Sequence, residues 1–484
     1  MNRKIVSIVV TLVSIIAIII SLRDQRADLN IEVVDEEEQQ PISINSLLDN
    51  TMSSFEQTKT FDRDIESFMR RWGLKGASFA LMRNDSLIYA KGYGFANDSM
   101  ECDANNIFRV ASVSKLLTAV AVMRLAEQGK ISLSSKVFGA EGILCDSMFL
   151  DLRNKNLEQI TVEHLMRHTA GFSSPHGDPA FSNYNVARYL DKELPLSLDD
   201  MVLYATKNRL RSRPGDRYDY SNLGYMILTK VVEKCSNIAY ENYVRDSILA
   251  PIGCYDMHIG KNFSQNREDN EVSYFEVKEA TPVEAFDGSG RYTMKSNGGN
   301  DVTLLSGAGG WVASPSEILR FVAAINDCDA KDNFLSQESI EAMTYDSKRY
   351  KPMGWATVRG DEWLRSGSMA GTSALIKKQK DGYTWVFVSN SSAWVGHKIS
   401  SYISSHVTRS MAKVKEWPQR DLFAIENIES LRLLYGDNFS EDDWGDPFYS
   451  QTLVCSFDDY VTQFDGSSNS LDLYNEDLNN WFIQ

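Results

Sequence analysis

The chain has 484 residues, 43% of them apolar and 24% charged, with 29 Gly, 11 Pro and 6 Cys. These values exclude a wholly disordered polymer, a collagen-like repeat and a disulfide-stapled miniprotein, and leave room for one large domain or two to three ordinary ones. A formal net charge of −16 argues against a nucleic-acid partner, whose phosphates need a basic surface.

At the N-terminus, Ile5 to Leu22 is an 18-residue run interrupted only by the small hydroxyls Ser7, Thr11, Ser14 and Ser21. As a helix it would span about 27 Å, nearly a bilayer core. Arg3 and Lys4 precede it, which favours a cytoplasmic N-terminus and an extracytoplasmic remainder, against which Arg23 and Arg26 weigh. Segment 1–22 therefore reads as a membrane anchor, with a cleaved signal peptide and a secreted product as the alternative; no small-residue cleavage site is evident. Residues 23–58, with Glu36, Glu37 and Glu38, read as an acidic polar linker.

From 59 to 415 strand-like and helix-like stretches alternate. Ala77–Met82 and Leu87–Tyr93 around Asn84-Asp85 predict a hairpin. Val113–Gln128, stopped by Gly129, and Leu223–Cys235 predict helices. Thr372–Lys377 and Thr384–Val388, around Lys380-Asp381-Gly382, predict a second hairpin, and Val395–Met411 a closing helix. Strands at both ends with helices between point to one α+β domain whose antiparallel sheet is closed by distant segments. Residues 416–484 form an acidic C-terminal extension. From 421 onward it holds 14 acidic side chains and one basic one, yet it is also rich in large apolar groups such as Phe448 and Trp481. A small folded appendage and a solubilising tail both fit, and any protein partner of this tail is left unidentified.

Two motifs carry chemistry. Ser112-Val113-Ser114-Lys115 places a hydroxyl and an amine three residues apart at a helix start. A serine needs a base within hydrogen-bond reach, and a lysine serves once burial and nearby positive charge lower its pKa. Free N–H groups at the helix start would stabilise an oxyanion. Pro214-Gly215 followed by Tyr220-Ser221-Asn222 supplies a phenol for proton relay and an amide for a substrate. Neither motif is specific alone, since Ser410/Lys413 and Tyr240/Asn242 repeat the spacings.

In order along the chain, these motifs are joined by Gly92-Tyr93-Gly94, Ile160 to Gly171, Gly309 to Ser314 and Gly371 to Ala374. The series, over roughly residues 60–412, resembles the serine β-lactamase-related hydrolases, the group of class C β-lactamases, DD-peptidases and similar esterases. The resemblance implies a β-lactamase/transpeptidase-like fold with a mostly helical subdomain. It makes Ser112 the nucleophile, Lys115 and Tyr220 the proton-transfer groups, and Asn222 a substrate contact. The family's K-T-G or H-x-G strand aligns with Arg365-Ser366-Gly367-Ser368. Arginine retains charge but gives up no proton, so Arg365, with Ser366 and Gly367, is expected to bind substrate, including a carboxylate. The Ser112 and Ser368 N–H groups would form the oxyanion hole.

The expected activity is an extracytoplasmic serine hydrolase acting on a small-molecule or peptide amide, ester or β-lactam, without metal or organic cofactor. The alternative is a silent protein that keeps the fold for binding. His164 and His168 have a spacing metal ligands use, but the expected role is structural, with no convincing third ligand. The chain has neither a G-x-S-x-G elbow nor a phosphate-binding loop.

Overall fold

A computed structural model describes residues 42–172, 177–326, 334–348 and 350–425. The expected segment 1–22 and most of the acidic extension lie outside these residues. Among the described residues no helix is long and apolar enough to cross a membrane.

Helix α1 (Lys59–Trp72) carries Phe61, Ile65, Phe68 and Met69 on one stripe and stops at Gly73, whose φ of 69° suits the left-handed cap. Strands β1 (Gly76–Arg83) and β2 (Ser86–Gly94) form the first hairpin. Its turn residues Asn84 and Asp85 have φ of 48° and 65°, the pair of positive values that matches the twist of two adjoining strands. Helices α2 (Ser114–Glu127), α3 (Asn222–Ser236) and α4 (Pro315–Ala324) follow. Strands β3 (Thr357–Arg359), β4 (Glu362–Met369), β5 (Thr372–Lys378) and β6 (Tyr383–Ser389) then precede α5 (Ile399–Met411). The closing helix begins four residues later than expected, because Gly396–Lys398 takes a tighter 3-10 turn first.

The six strands are ordered β2-β1-β6-β5-β4-β3 and paired antiparallel, so the N-terminal hairpin meets the C-terminal strands, with Ala77 opposite Ser389. Alternation along these strands sorts two cores. Phe79, Leu81, Leu375, Trp385 and Phe387 face α1 and α5. Ala80, Met82, Ala374, Ile376, Val386 and Val388 face the helical side that holds α2 and α3. Helix α2 is buried over almost its whole circumference, as a central helix must be.

Both domain edges differ from expectation. The solvated linker expected to run to residue 58 is already packed at Ile44 and Leu48, which are buried in the helical core. Asn45 Nδ2 donates to Glu317 and Asp256, and Asn50 bonds the backbone of Gly92 and Cys102. Apolar residues embedded in a polar stretch decided this, and average composition hid them. At the other end Trp417 packs on Phe61 at 5.3 Å, Leu422 is buried, and Asp421 accepts from the Leu87 N–H. The packed domain thus extends past 415 into the acidic extension, at least to residue 425.

Candidate active site

Ser112 sits in a 3-10 turn, Ala111–Val113, that leads into α2. Ala111 has a φ of 47°, a left-handed conformation that costs a residue with a Cβ about 1 to 2 kcal/mol. Strand β4 holds the turn. A Cβ on Gly367 would collide with the Val110 carbonyl and lie 2.8 Å from the Ser112 nitrogen. Glycine is required there because the backbone of the Ser112 turn approaches the strand, where sequence reasoning had expected a ligand to do so. Arg365, two residues earlier on the same face, donates from Nε to the Ser112 carbonyl at 2.7 Å.

Lys115, one turn into the helical run, is 0% exposed. Its Nζ lies 3.3 Å from Ser112 Oγ, 2.6 Å from Asn222 Oδ1, and against the Ala308 carbonyl oxygen. Burial drives its pKa down; the Tyr220 hydroxyl opposes this, and the Arg365 charge adds to it. Two of the three neighbours can only accept. A neutral amine has two N–H donors for them and one lone pair left, which faces the Ser112 hydroxyl.

Tyr220 reaches the same hydroxyl from α3's approach segment, with its oxygen 2.8 Å from Ser112 Oγ. Tyr220 is 44% exposed as a residue, with its hydroxyl held against Ser112 Oγ. Burial alone would push this phenol up, but the Lys115 and Arg365 charges outweigh it and bring the pKa down to about 8. The ring stacks on His168 at 4.4 Å, and His168 Nδ1 accepts from the Ser221 N–H. Burial, with Lys115 and Arg365 nearby, holds His168 well below its usual range, so it supports Tyr220 as a neutral ring. His164 is used differently, its Nδ1 accepting from the Thr161 N–H in a helix cap. Among the described residues no cluster of His, Cys, Asp and Glu could hold a metal ion.

The structure thus brings Ser112, Lys115, Tyr220 and Asn222 together. Asn222 is 8% exposed and already occupied: Oδ1 accepts from Lys115, and Nδ2 donates to Asp178 Oδ2 at 2.6 Å. The substrate contact expected of it is reduced to its remaining N–H. Arg365 departs further from expectation. It is 3% exposed, with Nε committed to Ser112 and Nη2 buried without a hydrogen-bond partner. A guanidinium buried beneath Ser112 acts on charge and backbone position and is not an open grip for a substrate carboxylate. Ser366 pairs with Leu375, whose side chain faces α1 and α5, so its hydroxyl lies on the sheet face away from Arg365. Ser368 is exposed and follows Gly367, beside which the Ser112 nitrogen lies. Sequence reasoning missed Asp178 and the Ala308 carbonyl. An aspartate in a loop and a main-chain oxygen carry no pattern that would have singled them out.

The lookalike motifs separate cleanly. The Tyr240 hydroxyl is buried against Thr118 and Trp311, and Lys413 pairs with Asp64 on the other side of the sheet.

A family model described as Beta-lactamase matches residues 61–401. The chain belongs to the β-lactamase family. Among curated relatives, PbpX of Bacillus subtilis strain 168, which carries a penicillin-binding-protein name, is 26% identical over 340 residues, 69% of this chain and 75% of that protein. Protein flp of Staphylococcus aureus strain N315 is 24% identical over 225 residues, 46% of this chain and 42% of its own, so that match spans less than half of flp. Among solved structures, the octameric penicillin-binding protein homologue of Pyrococcus abyssi has a TM-score of 0.56 at 21% identity, covering 78% of this chain and 82% of that one. The D-amino acid amidase of Ochrobactrum anthropi SV3, complexed with L-phenylalanine amide, has 0.56 at 19% identity, covering 78% and 100%. The β-lactamase/transpeptidase-like fold read from the motifs is therefore the observed one.

Proposed function

We propose that this β-lactamase-family chain is a serine hydrolase that turns over an amide, ester or β-lactam through a Ser112 acyl-enzyme. The observation that carries the proposal is the three-fold environment of Lys115 Nζ, two acceptor-only oxygens and the Ser112 hydroxyl, with the Tyr220 phenol on the same hydroxyl. Ser112 Oγ attacks the carbonyl carbon while its proton passes to the Lys115 amine, with the Tyr220 hydroxyl bonded to the same oxygen. The carbonyl electron pair moves to the oxygen, held by the Ser112 and Ser368 N–H groups. As the carbonyl re-forms, the bond to the leaving nitrogen or oxygen breaks and the stored proton goes to that atom. Water then repeats the sequence and frees Ser112. The solved D-amino acid amidase of the same fold supports including amino acid amides in the first substrate panel.

A fluorophosphonate or a fluorescent penicillin is the test. Wild type should be labelled once per chain and Ser112→Ala not at all. Equal labelling of both, or none of a folded wild type, overturns the proposal and favours a silent binding protein.

We further propose that the domain works outside the cytoplasm, tethered by Ile5–Leu22. The apolar length of that run and the basic residues before it support this. Alkaline carbonate washing should leave full-length protein in the membrane fraction, with the domain cut by external protease; release by the wash or full protection would overturn it.

A further inference from the structure

The amide of Asn222 has two faces, and the reaction needs only one orientation of it. Protonated Lys115 demands the Oδ1 side, because an ammonium has only donors. Once Lys115 has lost its proton, that demand ends: a flipped amide could donate from Nδ2 to the amine lone pair and take it away from Ser112. The base would then be present but directed at the wrong atom.

Asp178 removes the second orientation. Its Oδ2 accepts from Asn222 Nδ2 at 2.6 Å, on the far side of the amide from Lys115. A carboxylate accepts only, so the flipped amide would set oxygen against oxygen. Its other oxygen, Oδ1, accepts from the Ala180 N–H at 3.0 Å and caps the short Pro179–Phe181 turn, which fixes the carboxylate itself. We propose that Asp178 is a positioning residue that, through Asn222, keeps the lone pair of Lys115 pointed at the Ser112 hydroxyl. The proposal rests on the acyl-enzyme reading and adds a residue to it.

Asp178 also acts through its charge. The groups facing Lys115 are the Tyr220 and Tyr225 rings at 5.0 and 5.5 Å, the Arg365 cation, the neutral His168 ring, and Asp178 behind Asn222. Asp178 is the carboxylate of this set and holds the Lys115 pKa up, against burial and Arg365. Removing its charge lowers that pKa, so the base form persists to lower pH.

Two variants separate the effects, read by the acylation rate with p-nitrophenyl acetate or nitrocefin and by the pH profile of kcat/KM. Asp178→Ala loses the orienting acceptor and should lower kcat ~10- to 100-fold, with KM changed by less than ~3-fold. Asp178→Asn keeps one carbonyl that can face Asn222 Nδ2; kcat should recover to within ~5-fold of wild type, while the acid limb moves to lower pH. A residue that merely caps the 179–181 turn would lower the melting temperature and leave the acid limb in place. Wild-type kcat and an unmoved limb in both variants, or a lowered melting temperature as their only change, overturn the proposal. If Asp178→Ala does not fold, the limb of Asp178→Asn decides. A wild type that is never acylated removes the acyl-enzyme reading and this proposal with it; an acylated wild type with unaltered Asp178 variants removes this proposal alone.

Discussion

Six residues apart in the sequence, Arg109 and Lys115 are both buried cations with carbonyl acceptors, an aromatic face, a neighbouring cation and a carboxylate, yet they are suited to different work. Arg109 donates from Nη1 and Nη2 to the Ser296 and Lys261 carbonyls at 2.6 and 2.8 Å and stacks on Tyr274 at 4.3 Å. The Tyr274 hydroxyl donates to Glu271, a buried carboxylate also close to Arg267. Lys115 also reaches the Ser112 hydroxyl, and of the formal charges acting on it the Arg365 cation outweighs Asp178, which stands one amide away. A guanidinium keeps its proton in such a site and becomes structure. An amine can give its proton up, and burial beside a like charge drives it toward the neutral form that a base requires.

Four measurements can break or sharpen that contrast. Lys115→Ala should lower the acylation rate by about 10² to 10⁴, the usual contribution of a general base, with the fold retained in circular dichroism. A loss below tenfold would hand its role to Tyr220. Arg109→Met should act on stability instead: it takes the Arg109 donor from the Lys261 carbonyl, leaves the Ser296 carbonyl to Arg267, removes a cation near Glu271, and should cost about 3 kcal/mol in denaturant unfolding, with the acid limb of the pH profile unmoved. A moved limb would mean that the two cations are not separate systems.

Glu317 tests the same rule with opposite sign. This buried carboxyl has Asp256 as a neighbour; burial, then the Asp256 charge, push its pKa up to about 7. A folded pKa above the unfolded one makes its protonated form the stable one. Its contribution is fully present below about pH 4.5 and is lost as pH rises through about 7, on the order of 3 kcal/mol. Glu317→Gln should flatten that part of a melting-temperature profile between pH 5 and 8; an unchanged slope would remove Glu317 as its source. The smallest effect is expected at Arg365. Replacing it by Met removes a cation that lowers both Lys115 and Tyr220, so their base forms need higher pH, and the acid limb should rise by about one unit. Arg365→Lys should leave the limb near its wild-type position, and a limb unmoved in both variants would reduce Arg365 to its bond with the Ser112 carbonyl.

Much of the fold was legible. Alternating bulky residues on either side of Asn84-Asp85 and Lys380-Asp381-Gly382 specify both hairpins, because side-chain period and turn chemistry are local properties. The S-x-x-K and Y-S-N segments could be located but not distinguished from their lookalikes by spacing alone. Burial of Lys115 and exposure of Lys413 separate them, and neither follows from three residues of sequence. Arg365 illustrates the limit best: the pattern identified its strand, while the edge-on approach of that strand to the Ser112 turn decided that its guanidinium would be sealed inside.

The amino-acid sequence by itself determined the hairpins, the principal helices, the family and the segments that carry the candidate hydroxyl, amine and phenol. Tertiary structure alone decided what each of them faces. Tyr220 and Ser112 are 108 positions apart, and Arg365 and Ser112 are 253 apart. Such contacts exist only once the two cores have closed on the sheet between them. The charge state of Lys115 follows from those contacts, because a proton's affinity for a buried amine depends on every charge within a few ångströms and on none of the residues that merely precede or follow it in the chain.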